Sequence, residues 1–110
     1  MTEVVPFLRV RDAEASSRWY GRLGFEVEWR HRFADGLPLF VAIRSNSSRI
    51  FLSEHAGDAR PGTLLYLYVD DVDALARELG GEIEETEYGM RELSVVDPDG
   101  NRLRIGAAVG

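Results

Sequence analysis

The chain predicts an α+β fold: two βαβββ modules forming a curved mixed sheet around a concave cleft. Three observations carry that expectation. Strand-like and helix-like periodicities follow in the order strand, helix, three strands, and then repeat. One constant shift sets Val10 on Val69, Asp12 on Asp71, Ala15 on Ala74 and Gly21 on Gly80. A module of roughly 50 residues cannot bury a sheet alone, so two must pack together and leave a concavity. The repeats cover about residues 3–54 and 63–106 of a single domain, residues 1–110.

The first module opens with a short β-rich run, VVPFLRV (4–10). Asp12 follows as an N-cap, because its carboxylate can take a free amide at a helix start. In AEASSRWYGRL, Ala15, Trp19 and Leu23 are four apart, which places Trp19 on the buried face, and Gly24 closes the helix. FEVEWR alternates, with Phe25, Val27 and Trp29 on one side and Glu26, Glu28 and Arg30 on the other. FADG (33–36) is a turn, and LPLFVAI (37–43) and RIFLS (49–53) are the next strands. EHAGDARPG (54–62) is a polar connector.

The second module repeats the order. LLYLYV (64–69) is a strand, Asp70 and Asp71 are candidate caps, and Val72, Leu75, Ala76 and Leu79 make the helix's apolar face. EIEET (82–86) reads as a polar edge strand, and ELSVV and RLRI form a hairpin around DPDGN. The period of two then assigns faces. Leu8, Val10, Ile50, Leu52, Leu65, Leu67, Leu103 and Ile105 go under the helices. Val5, Phe7, Arg9, Phe51, Leu64, Tyr66, Tyr68, Arg102 and Arg104 are left for the concavity. Through DPDGN, Arg104 lies opposite Ser94 and diagonal to Glu92.

Composition narrows the function. With 45% hydrophobic and 29% charged residues, the chain is that of an ordinary globular protein. There is no cysteine, which removes disulfides, zinc–thiolate sites and thiol nucleophiles. All 13 basic residues are arginine, so lysine Schiff-base chemistry and Walker-type loops are absent too. A net charge of −6 argues against nucleic acid and favours a cationic or neutral small ligand. No apolar run approaches the ~20 residues of a membrane span. MTEVVPFLRV lacks the order of a signal peptide, so the expected location is cytoplasmic, with no membrane partner.

The repeated strand–V-x-D–helix opening and the closing DPDGN resemble the vicinal oxygen chelate superfamily, which includes glyoxalase I, extradiol dioxygenases, and fosfomycin and bleomycin resistance proteins. The likeness runs from Val4 to Ile105. RDAEASSRWYGRLGF, TLLYLYVDDVDAL and YGMRELSVVDPDGNRLRIG are most similar to bleomycin-resistance-type binding proteins. That resemblance implies a homodimer with drug-binding clefts between subunits, and antibiotic resistance by sequestration without chemistry. It also implies that aromatics after the first helix clamp the flat part of a drug, and the matching positions are Trp29 and Phe33.

Enzymes of that superfamily hold a divalent metal with His, Gln or Glu from the first and last strands of each module. The matching positions here are Val5, Phe51, Leu64 and Arg104. Hydrocarbon offers a cation no donor, and a permanent positive charge repels one. The expectation is therefore no metal, no cofactor and no catalytic residue. His31 and His55 read as solvent-exposed loop histidines.

The ligand-binding candidates are Trp29, Phe33, Phe51, Tyr66, Tyr68, Tyr88, Met90, Glu92 and Arg104. Several have a structural alternative, whereas Phe33 lies in a polar turn where a core role is less expected. Trp29 alternates with Phe25 and Val27 as a core residue would. Tyr66 and Tyr68 suit a subunit interface as well as a pocket. Tyr88 and Met90, beside Gly89, either close over a ligand or form a loop. Arg104 either pairs with Glu92 or orients a polar ligand group. The leading expectation is a metal-free binder of an aromatic or cationic small molecule. The alternative is a metal-dependent or metal-independent lyase, isomerase or dioxygenase, the metal-independent form using Glu92 or Tyr66 as acid or base.

Overall fold

Both halves form their elements in the expected order. The computed structural model describes residues 1–109. The first half has β1 (Phe7–Arg9), α1 (Ala13–Gly21), β2 (Glu26–His31), β3 (Phe40–Ser45) and β4 (Ser48–Ser53). The second has β5 (Leu64–Tyr68), α2 (Val72–Leu79), β6 (Glu84–Glu85), β7 (Met90–Val96) and β8 (Arg102–Ala108). The chain divides after Gly62 into two compact units. Each has a four-stranded mixed sheet, in the orders β1-β4-β3-β2 and β5-β8-β7-β6. The first strand of each pairs parallel with the last, and the other pairings are antiparallel.

In the first unit, Leu8, Val41, Ile43 and Leu52 are sealed from water on the helix side. Asp12 caps α1 by accepting the Ala15 amide at 3.1 Å. The helix turns a different face inward from the one its sequence predicts. Ala13, Ser16, Ser17 and Tyr20 are buried, whereas Trp19 is only half-buried and Leu23 lies beyond the helix end. The small serines let the helix approach the sheet, and Ser17 keeps its hydroxyl satisfied by donating to the Glu14 carbonyl at 2.7 Å. Tyr20 fills the space and meets Phe25 edge to face at 6.1 Å.

Two other departures come from local hydrogen bonding. The third strand starts at Phe40 rather than Leu37, because Leu37 closes a turn onto the Ala34 carbonyl at 3.1 Å. Glu54 then uses both carboxylate oxygens, accepting the Ala13 amide at 2.8 Å and the Leu39 amide at 2.9 Å. One side chain thus ties the helix start to the run into β3.

The larger departure is in β2. Val27 pairs with Ile43, but Trp29 pairs with Ala42, so Glu28 is an extra residue in a β-bulge. The strict alternation expected of FEVEWR breaks there. Val27 stays over the core, while Trp29 moves to the face that Ala42 shares with Phe51.

In the second unit, Val72, Leu93, Leu103 and Ile105 form the sealed core. Asp71 rather than Asp70 caps α2, accepting the Ala74 amide at 3.0 Å. The DPDGN turn is held by Asp97, which accepts the Asp99 amide at 2.8 Å, the Asn101 amide at 2.9 Å and the Asn101 side-chain amide at 3.0 Å. Asn101 in turn accepts the Thr63 amide at 3.2 Å, which fixes the start of β5. The polar strand shortens to Glu84–Glu85. Among the described residues no helix is long and apolar enough to cross a membrane.

Candidate functional site

Each sheet carries its helix on one face, and the other face of each holds the residues of interest. On the first, Phe7, Trp29, Phe40 and Phe51 form one cluster. Phe7 and Phe51 are register partners on β1 and β4, and their rings meet edge to face at 5.2 Å. Phe40 lies 5.5 Å from Phe7 and 5.0 Å from Phe51. Trp29 stacks on Phe40 at 5.5 Å with 14° between planes and leans on Phe51 at 5.6 Å. The cluster is not sealed: Phe7 keeps 39% and Trp29 42% of their surface. Aromatic area left in water on an otherwise well-packed sheet is the kind of patch that flat ligands cover.

Charges beside this cluster are already spent on one another. Glu28, displaced by the bulge, pairs with Arg44 at 2.9 Å and Arg49 at 2.7 Å, and Arg49 also reaches Glu3 at 2.9 Å. These guanidiniums hold the Glu28 carboxyl below the usual carboxylate range. Arg30 falls on the helix face and pairs with Glu14.

The second open face is built differently. Tyr66 and Tyr88 both donate to Glu92 Oε2, each at 2.7 Å, and Glu92 is only 8% exposed. Tyr66 reaches Glu92 by lying across β8 at Gly106, where a Cβ would come within 2.0 Å of the phenol oxygen. Met90 covers the same glycine. Tyr68 sits 4.9 Å from Tyr66 and is 82% exposed.

The network separates the two acidities. Desolvation, followed by the Glu92 carboxylate, pushes Tyr66 up to about 12. The Glu92 hydrogen bond likewise raises Tyr88. Hydrogen bonds from Tyr66 and then Tyr88 hold Glu92 below its ordinary range, with Arg104 adding to the effect.

Of the residues predicted as ligand-binding, Trp29 and Phe51 share the first cluster, and Tyr66, Tyr68, Tyr88, Met90, Glu92 and Arg104 share the second face. Phe33 joins neither: it is 77% exposed, and its ring contact is edge to face with His31 at 4.5 Å. His31 ends β2 rather than lying in a loop, though it is exposed as expected. The Glu92–Arg104 pair weighed as a structural role for Arg104 does not form. The register is the expected one, Ser94 opposite Arg104, but the two tyrosines take Glu92 instead. Phe7 and Phe40 were missing from the predicted set. Alternation already put Phe7 on the open side, whereas the face of Phe40 depended on a register the turns did not announce.

The four superfamily metal positions do not fit a divalent ion. Val5 and Leu64 present hydrocarbon, Phe51 is engaged in the aromatic cluster, and Arg104 carries a positive charge. Among the described residues no group of three or more His, Asp or Glu converges to hold a metal.

Comparison with known proteins gives a consistent fold. A family model described as glyoxalase superfamily protein matches residues 1–110. TnmS3, an antibiotic binding protein from Streptomyces sp. CB03234, aligns with a TM-score of 0.80 at 23% identity, covering 98% of this chain and 97% of that one. A bleomycin-binding protein complexed with bleomycin aligns at 0.70 and 22% identity, covering 97% and 98%. A bleomycin resistance determinant encoded on the transposon Tn5 aligns at 0.69 and 22%, covering 98% of each chain. A search of curated proteins finds no match.

Proposed function

The chain belongs to the glyoxalase superfamily, and from that premise we propose that it is a metal-free binding protein that sequesters an aromatic, antibiotic-like small molecule of the bleomycin type. The observation that carries this reading is the half-exposed cluster of Phe7, Trp29, Phe40 and Phe51. Stacking on such rings contributes about 0.5–1.5 kcal/mol per pair beyond area burial, without chemistry. The net charge of −6 adds long-range attraction for a cationic ligand. The antibiotic-binding neighbours share the fold and so lend the idea a precedent.

Proton-transfer chemistry at Glu92 or Tyr66 is the weaker reading. A useful acid or base has a pKa near the working pH. Here the carboxyl is held low and the phenol is raised to about 12, so both move away from neutrality. In the proposed working form the two repeats act as one domain, and the protein is a cytoplasmic homodimer. Sedimentation equilibrium tests the dimer, and a monomer at micromolar concentration removes that part.

Binding itself is tested with a Trp19→Phe variant, which leaves Trp29 as the sole tryptophan. Titration with bleomycin and with planar aromatic cations should quench its emission saturably, and Trp29→Leu should abolish the calorimetric signal. Absence of quenching and of heat across the whole set refutes the proposal.

A further inference from the structure

Two recesses of opposite charge adjoin on the open face of the second unit. The first, about 410 Å³, is walled by Glu82, Ile83, Glu84, Glu92 and Ser94, and has carboxylates but no basic group. The second, about 160 Å³, has Leu64, Ser94, Arg102 and Arg104 in its wall and no acidic group. Ser94 belongs to both, so they meet across one residue of β7.

Three carboxylates in a row would by themselves be only a charged edge. Glu92 changes that. It is more than nine-tenths buried, and both phenols bind its Oε2. Its Oε1 has no hydrogen-bond partner among the described residues. A buried carboxylate with one oxygen clamped and the other bare is oriented to accept a hydrogen bond from something in the recess. Its low pKa keeps it charged for that purpose. Arg104 lies one diagonal away, yet the two do not pair, and Arg104 forms no hydrogen bond or ion pair among the described residues. Two opposite charges held near one another and left unjoined leave room for a ligand carrying both.

We propose that the Glu92 and Arg104 recesses together bind a zwitterion, its ammonium or amidinium end on Glu92 Oε1 and its carboxylate on the Arg104 guanidinium, with Ser94 between them. The two recesses share Ser94, so the ligand is a short one with a single ring between its charges. Ile83 in the wall of the first recess and Leu64 in that of the second favour an apolar spacer such as a ring. The inference extends the binding reading to a site that does not use the Trp29 cluster, so either can fail alone.

Calorimetry with para-(aminomethyl)benzoate, benzylamine and benzoate tests it, because the three share a ring and differ only in charge. The zwitterion should bind at least about tenfold more tightly than either singly charged compound, as two charge-assisted hydrogen bonds outweigh one. Glu92→Gln should weaken binding of the zwitterion and of benzylamine and leave benzoate unchanged. Arg104→Gln, at an exposed position where folding is not at stake, should do the converse. Equal affinity for the zwitterion and benzylamine, or indifference of zwitterion binding to Arg104→Gln, overturns the proposal even where bleomycin still quenches Trp29.

Discussion

The two units share a strand order, a helix cap and a turn of register, yet their open faces are opposites. On the first, four hydrocarbon-rich rings pack on one another, and the nearby charges neutralise each other in the Glu3–Glu28–Arg44–Arg49 group. On the second, Tyr66 and Tyr88 commit their hydroxyls to a buried carboxylate, and Arg104 forms no ion pair among the described residues. The scaffold does not dictate this contrast. It follows from which residues occupy alternate strand positions, since the inward-facing ones are apolar in both units. Duplicating a module therefore duplicates its core and leaves each outer face free to take its own chemistry.

The contrast is broken most directly by Phe51→Ala. Phe51 touches Phe7, Trp29 and Phe40, so its loss should destabilise the protein by about 2–3 kcal/mol. Urea unfolding measures this, and Trp29 emission should shift to the red. If stability is unchanged, the first face is not a packed cluster. Glu54→Ala comes next, at about 1–3 kcal/mol, because it leaves the Ala13 and Leu39 amides without their acceptor. Glu54→Gln should recover only part of that, since an amide has one accepting oxygen for two amides.

Gly106→Ala sharpens the comparison from the other side. A methyl at that position must drive the Tyr66 ring off β8 and break its bond to Glu92. In the parent protein one tyrosine should titrate near 12, and in the variant it should return towards 10. Ultraviolet absorbance follows the tyrosinate, and an unmoved midpoint would count against the network. The same linkage fixes a pH window. A phenol whose folded pKa is raised contributes stability that is complete below 10 and lost as pH climbs towards 12. A carboxyl whose folded pKa is depressed contributes above its unfolded value and loses that contribution as pH falls through the folded one. Tyr66→Phe should reduce the alkaline loss to the part owed to Tyr88 and leave the Phe51 cluster's contribution intact. The smallest effect belongs to Phe33→Ala, within about 0.5 kcal/mol, because that ring is exposed and its ring contact is an edge-to-face one with His31. If this substitution nonetheless abolishes aromatic ligand binding, the binding surface extends beyond the Trp29 cluster.

Much of this was legible in the sequence, and what was not has identifiable causes. Period-two alternation places Leu8, Leu52, Leu103 and Ile105 inside correctly, since each lies on a strand without irregularity. DPDGN sets the Ser94–Arg104 register because its Asp and Asn side chains close the turn one way. The α1 face was misread because Ser16 and Ser17 are polar by composition and buried through their small size and local hydrogen bonding. The partners of Glu92 were missed because Tyr66 reaches it across a neighbouring strand. Only the absent side chain of Gly106 allows that crossing.

The extra residue at Glu28 acts on β2 as a change of phase. An unbroken strand commits every second side chain to one side along its whole length, so one composition serves one surface. With the phase change, the first half of β2 belongs to the interior through Val27, and the second half belongs to the outer face through Trp29. Were the same sequence to run through β2 without the bulge, the strand would keep a single phase and the indole would turn to the helix side with Val27. A protein with the same composition would then lack the Trp29–Phe40 stack.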